Sequence, residues 1–130
     1  FGAIFLVGLT LSAVGLLVGG VGVVAIMMIS VTERTREIGV RKALGATRAT
    51  ILWQFLVEAA TLTTIGAALG LVVGMFLAFL IRTNTPLPAS VPLSAIVSSL
   101  LGSALTGVMF GMVPASRASR LDPVEALRHE

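Results

Sequence analysis

From Phe1 to Thr32 the chain runs without one charged side chain, and this feature fixes most of what it can become. A bilayer core about 30 Å thick is crossed by roughly 20 apolar residues in a helix, and inside hydrocarbon only helices or closed barrels satisfy every backbone N–H and C=O. Two further runs repeat the pattern: Ile51 to Ile81, whose single charge is Glu58 near its start, and Ser94 to Val113, which has none. Composition agrees, with 56% hydrophobic and 12% charged residues, where soluble domains carry about a quarter charged. Mean hydropathy is +1.04. The expected fold class is an all-α membrane protein with three transmembrane helices, at about 1–31, 51–81 and 94–113, and a short amphipathic cytoplasmic helix in a charged segment at 32–50. A polar tail follows at 114–130.

Several function classes drop out. Cysteine is absent, which removes disulfides, thiolate metal sites and cysteine nucleophiles. The one histidine, His129, is next to last, so no imidazole stands at membrane depth to hold a metal or haem. Lys42, the only lysine, follows Gly39-Val40-Arg41 rather than a phosphate-cradling G-x-x-x-x-G-K-[ST] loop. Among the apolar runs only Glu58 offers a proton or ion a carboxylate, and its expected role is snorkelling or pairing with Arg48 or a neighbour. No catalytic, cofactor-binding or metal-ligating residue is therefore assigned. The net charge of +3 comes from cations that flank apolar spans, so it reports membrane orientation rather than nucleic-acid binding.

Seven charged residues are concentrated between Val31 and Thr50: Glu33, Arg34, Arg36, Glu37, Arg41, Lys42 and Arg48. Cytoplasmic loops carry the excess of Lys and Arg. The first connection has Arg34, Arg36, Arg41, Lys42 and Arg48, the second only Arg82, and the tail Arg117, Arg120 and Arg128. Charged segment and tail are thus expected inside, with Phe1 and the loop bearing Pro86, Pro88 and Pro92 outside. The chain opens at Phe1 with neither Met nor a basic lead-in, and is expected to be the C-terminal part of something longer or a processed product.

Within the segment, Thr32 is the expected N-cap, Glu33 complements the dipole of the first turn, and Arg41 and Lys42 suit the other end. Ile38, Val40, Ala43 and Leu44 supply apolar contacts, Gly45 can end the helix, and Thr47 can cap the next. Two readings remain: a surface anchor on anionic lipid, or a docking helix for a cytosolic partner. Interleaved acids and bases favour the protein partner. In the tail, Pro123 suits a first helical position with Asp122 as N-cap, and Val124 and Leu127 would form a small apolar face. Span three is expected to stop at Pro114.

Small residues recur at spacings of four: Gly15 and Gly19; Gly66, Gly70 and Gly74; Ala95, Ser99, Ser103, Gly107 and Gly111. Such faces let helix backbones approach closely in lipid, where packing drives association. They serve either a three-helix bundle or a homodimer, and three stripes exceed what one small bundle needs, which favours partner helices.

The run ERTREIGVRKALGA, followed by TRATILWQFLVEA, a Gly-rich span and PASRASRLDPVEALRHE, resembles the C-terminal FtsX-like permease domain of the macrolide-exporter (MacB-like) ABC transporter family. The likeness covers nearly the whole chain. It implies the last three of four spans of a permease in the bacterial cytoplasmic (inner) membrane, acting as a dimer with a cytosolic ABC ATPase that holds the ATP and Mg. It further implies that Glu33, Arg34, Arg36, Glu37, Ile38, Arg41, Lys42, Leu44 and Gly45 form the coupling contact, that the tail makes a second contact, and that the spans transmit movement to an outside domain. The alternative of another class is an accessory structural subunit that keeps the helices without an ATPase.

Overall fold

The computed structural model describes residues 2–86, 88 and 90–128. Phe1, expected outside, and His129, the lone imidazole, lie outside the described residues. The chain is built from helices: α1 Gly2–Glu33, α2 Thr35–Ala43, α3 Arg48–Asn84, α4 Leu93–Ser119 and α5 Pro123–Arg128. Helices α1, α3 and α4 are each long and apolar enough to cross a membrane.

Helix α1 does not end at a capped Thr32. Thr32 Oγ1 turns back to donate to Met28 O at 2.9 Å, and the chain passes through one non-helical residue, Arg34 (φ −97, ψ 11), which offers no side-chain cap. The ladder survives on both sides, since Arg34 N–H reaches Ser30 O and Ile38 N–H reaches Arg34 O, both at 3.0 Å. Thr35 Oγ1 donates to Val31 O at 3.0 Å and to Thr32 O at 2.9 Å, so its hydroxyl occupies carbonyls at the break. Helix α2 is therefore the kinked continuation of α1.

The corner after α2 is made by Gly45, whose φ of 102 is the one positive value among the described residues. Gly45 N–H bonds Lys42 O and Ala46 N–H bonds Arg41 O, both at 3.0 Å, the pair of bonds of a Schellman cap, which needs a left-handed residue at this position. Thr47 then caps α3 by accepting from Thr50 N–H at 3.2 Å.

Helices α3 and α4 form an antiparallel pair. Gly107 is buried against the α3 backbone: a Cβ there would stand 2.8 Å from Ala59 O and 2.9 Å from Ala60 Cα. Gly111 packs against the same residue, where an added Cβ would stand 2.5 Å from Ala59 Cβ. On α1, Gly20 lies against the ring of Phe110. Pro114 does not end α4, which runs through it to Ser119. An interior proline costs about 3 kcal/mol, but Pro114, Ala115, Ala118 and Ser119 are all buried, and that packing outweighs the lost bond.

The core sits at one end. Met27, Val31, Ile38, Ile51, Phe55, Leu56, Ala59, Ala115 and Ala118 form a single buried cluster, and among the described residues α3 buries nothing beyond Ala59 and α4 nothing before Gly107. Ile38, which lies in the charged segment outside the spans, contributes roughly 1.5–3 kcal/mol by leaving water. The charged end is thus a packed foot made of α2, α5, the start of α3 and the end of α4. Toward the proline loop the helices expose apolar side chains such as Leu9, Leu16, Val72 and Phe76.

Candidate functional site

The foot gathers most of the charge, and its geometry sorts the charged segment into an inner and an outer side. On the inner side α2 lies antiparallel to the first turns of α3. Ile38 is 4% exposed. Arg41 Nη1 donates to Gln54 Oε1 at 2.7 Å and Nη2 to Glu37 on its own helix. Arg34 forms an ion pair with Glu58 at 3.4 Å, so the carboxylate near the start of span two meets Arg34 rather than Arg48. The space left between Arg34, Glu37, Ile38 and Phe55 is about 10 Å³, room for one water at most.

Lys42 joins α2 to the other elements. Its ammonium donates to Leu121 O at 2.6 Å and to Ser119 O, the carbonyls where α4 ends. Burial and the neighbouring Arg48 hold this ammonium below its ordinary range, with Asp122 acting against them. Gly39 lets α5 come close, since a Cβ there would stand 2.7 Å from Ala126 Cβ. Asp122 caps α5 by accepting from Val124 N–H at 2.9 Å. The apolar face expected from Val124 and Leu127 is replaced by Ala126, because Val124 is 70% exposed and Leu127 is exposed too, while Ala126 is buried.

The outer side carries Glu33 at the end of α1, Arg36, Val40 and Ala43 on α2, and Leu44 at its C-cap, all exposed. Arg36, Val40 and Leu44 are four apart and share one face. Leu44 is 83% exposed and stands beside Gly45 at the tip of the foot. Of the nine residues assigned to the contact, the fold places Ile38 in the core and commits Arg34, Glu37, Arg41 and Lys42 to bonds within the foot. Glu33, Arg36 and Leu44 face outward, and Gly45 shapes the corner. Val40 completes the outward face; its spacing from Arg36 and Leu44 could have found it. Gln54 and Ala126 carry no signal of their own, since each matters through what folds against it.

The small residues separate likewise. Gly107 and Gly111 are buried in the α3–α4 contact, whereas Gly15, Gly19, Gly66, Gly70 and Gly74 have open space where a Cβ would be. Ser103 lines a groove of about 490 Å³ with Gly15, Gly19 and Gly66, and Ser99 lines a second of about 350 Å³ with Gly70 and Gly74.

The sequence of this chain matches the family described as FtsX-like permease C-terminal over residues 9–123. The chain belongs to that family. Among relatives of the domain, the ABC transporter permease YknZ of Bacillus subtilis (strain 168) is 50% identical over 121 residues, which are 93% of this chain and 30% of YknZ. The macrolide export ATP-binding/permease protein MacB of Salmonella typhimurium is 50% identical over 124 residues, 94% of this chain and 19% of its own length. MacB of Rhodopirellula baltica is 43% identical over 129 residues, 99% of this chain and 19% of that protein. The chain thus spans less than a third of the length of these relatives. The FtsX-like match takes in α1 from Leu9, then α2, α3 and α4, and ends at the first residue of α5; with three apolar helices it makes this a multi-pass membrane protein of the permease family.

Proposed function

We propose that this domain is the non-catalytic permease part of an ABC-type complex, coupling ATP hydrolysis in a cytosolic ATPase to movement on the far side of the cytoplasmic membrane. The observation that carries the reading is the two-sided build of α2. Its inner side is fastened to α3 by Ile38 and Arg41 and to the end of α4 by Lys42, while Arg36, Val40 and Leu44 stay uncovered. A push on that outer face would move the ends of all three long helices together. The large number of cations at the foot supports placing it in the cytoplasm, and ATP and Mg belong to the partner.

Export by mechanotransmission fits helices in which no described residue beyond Glu58 lends the apolar stretches a charge before Arg82 or Arg117. The open glycine faces of α1 and α3 are surfaces for partner helices, a second copy of the chain among them. They also support the accessory-subunit reading, which leaves the outward face of α2 without a purpose. The test is ATPase stimulation in proteoliposomes by the full-length permease and its Arg36→Glu variant. Unchanged stimulation by the variant would remove the coupling role from this face.

A further inference from the structure

Helix α2 meets α5 and α3 in different ways. Toward α5 the backbones themselves come together, because Gly39 lacks the Cβ that would stand 2.7 Å from Ala126 Cβ and 3.5 Å from Pro123 O. Toward α3 the backbones keep further apart, and side chains span the distance. Ile38 and Gly39 are the buried residues of α2, so Ile38 is its one large buried apolar side chain. A space of about 10 Å³ remains between Ile38 and Ile51, Gln54 and Phe55 of α3. Backbone bends bound α2 on both sides, at Arg34 (φ −97, ψ 11) and at Gly45 (φ 102). Its set against α3 therefore depends on what the side chains reach.

Two polar bridges cross that distance, Arg34 to Glu58 at 3.4 Å and Arg41 to Gln54 at 2.7 Å. The second is the better placed. Arg41 Nη2 donates to Glu37, one turn earlier on α2, which orients the planar guanidinium and leaves Nη1 aimed at α3. A guanidinium has donors only, so Gln54 meets it with the amide oxygen. Glu37 already compensates the cation, and a neutral amide completes the bridge without a second carboxylate. Arg41 and Gln54 are both exposed, so their bond adds little to the stability of the foot. What it sets is the position of α3 relative to α2.

We propose that Gln54 is a positioning residue through which α3 follows the movement of α2. This rests on the permease reading above and divides its transmission in two. The end of α4 and α5 follow α2 through Lys42 and the Gly39–Ala126 contact, and α3 follows through Arg41 and Gln54. Without the amide oxygen, α2 stays docked on α5 but shifts against α3. The ATPase would still bind the outer face, and its push would reach α4 while fading before α3.

The experiment compares the full-length permease, reconstituted with its ATPase, with its Gln54→Leu and Gln54→Glu variants. Gln54→Leu removes the acceptor, and Gln54→Glu keeps one. Both should insert and bind the ATPase like the parent. Stimulation of ATP hydrolysis should fall roughly three- to tenfold in Gln54→Leu and return to within about twofold of the parent in Gln54→Glu. A second readout uses the permease alone. Spin labels on Val40→Cys and Val57→Cys, both exposed positions, report α2 against α3, and labels on Val40→Cys and Val124→Cys report α2 against α5. In Gln54→Leu the first distance distribution should widen by roughly 2–5 Å, and the second should stay as it is. Unchanged stimulation, an unchanged first distance, or loss of ATPase binding along with stimulation each overturns the proposal. If Arg36→Glu abolishes stimulation and Gln54→Leu does not, the function stands and the role of Gln54 alone falls. If neither variant alters stimulation, the functional reading falls as well.

Discussion

The ammonium of Lys42 on α2 donates to the carbonyl of Leu121 at 2.6 Å, across the joint where α4 gives way to α5. Helix C-terminal carbonyls have no partners within their own helix and are commonly met by cations. Here the cation comes from a helix far away in sequence, so one side chain ties the membrane-spanning α4 to the charged segment. Lys42→Met keeps the aliphatic stem and removes the donor. It should lower stability by about 1.5 kcal/mol, the lower end for charge-assisted hydrogen bonds, because the group is only partly shielded from water. Hydrogen exchange should quicken in α5 before α3; uniform exchange in the variant would show that Lys42 is no tie.

Gly107 and Gly70 have the same spacing signature and opposite surroundings. Gly107→Ala places a methyl group against Ala59 O and Ala60 Cα, backbone atoms that cannot swing aside, and should cost roughly 1–3 kcal/mol by overpacking. Gly70→Ala enters open space within a helix and should be neutral or stabilising by up to about 1 kcal/mol. Unfolding of both variants in detergent micelles gives the comparison, and equal effects would contradict the packing described.

The Arg34–Glu58 pair is long, at 3.4 Å, and both side chains are well exposed. A double-mutant cycle with Arg34→Gln and Glu58→Gln should find a coupling of at most about 1 kcal/mol, shrinking with salt. A coupling several times larger would mean that Glu58 lies within the hydrocarbon, where screening is weak.

Because the chain has no cysteine, single cysteines report sidedness cleanly. Leu44→Cys and Ser90→Cys both fall at exposed positions and should react with an impermeant maleimide from opposite sides of the membrane, Leu44→Cys from the cytoplasm. Labelling of both from one side would refute three spans.

The three long helices were legible because charge-free runs of their length have few other fates, and Gly45 and Thr47 announced the corner through residue types that suit it. What was hidden depended on contacts between distant segments. Pro114 stays within α4 because Ala115 and Ala118 are buried beside it, a fact no local rule contains. Thr32 looked like a cap, yet α1 continues into α2 because Ile38 docks into the cluster with Ile51 and Phe55. The charged segment read as one contact surface, but the fold divides it: Arg34, Glu37, Arg41 and Lys42 bond within the foot, and Arg36, Val40 and Leu44 are left exposed. Spacing alone could not tell which arginine faced which way until α3 and α5 were in place.

The coupling role of the outer face of α2 is tested most directly by Leu44→Asp in the full-length permease reconstituted with its ATPase. Leu44 touches little of its own chain, so insertion and thermal stability should match the parent within about 0.5 kcal/mol, while a buried apolar contact with the partner would be replaced by an unpaired charge. The account predicts that stimulation of ATP hydrolysis falls at least about tenfold at fixed protein concentration. Full stimulation by a stably inserted Leu44→Asp variant would contradict it.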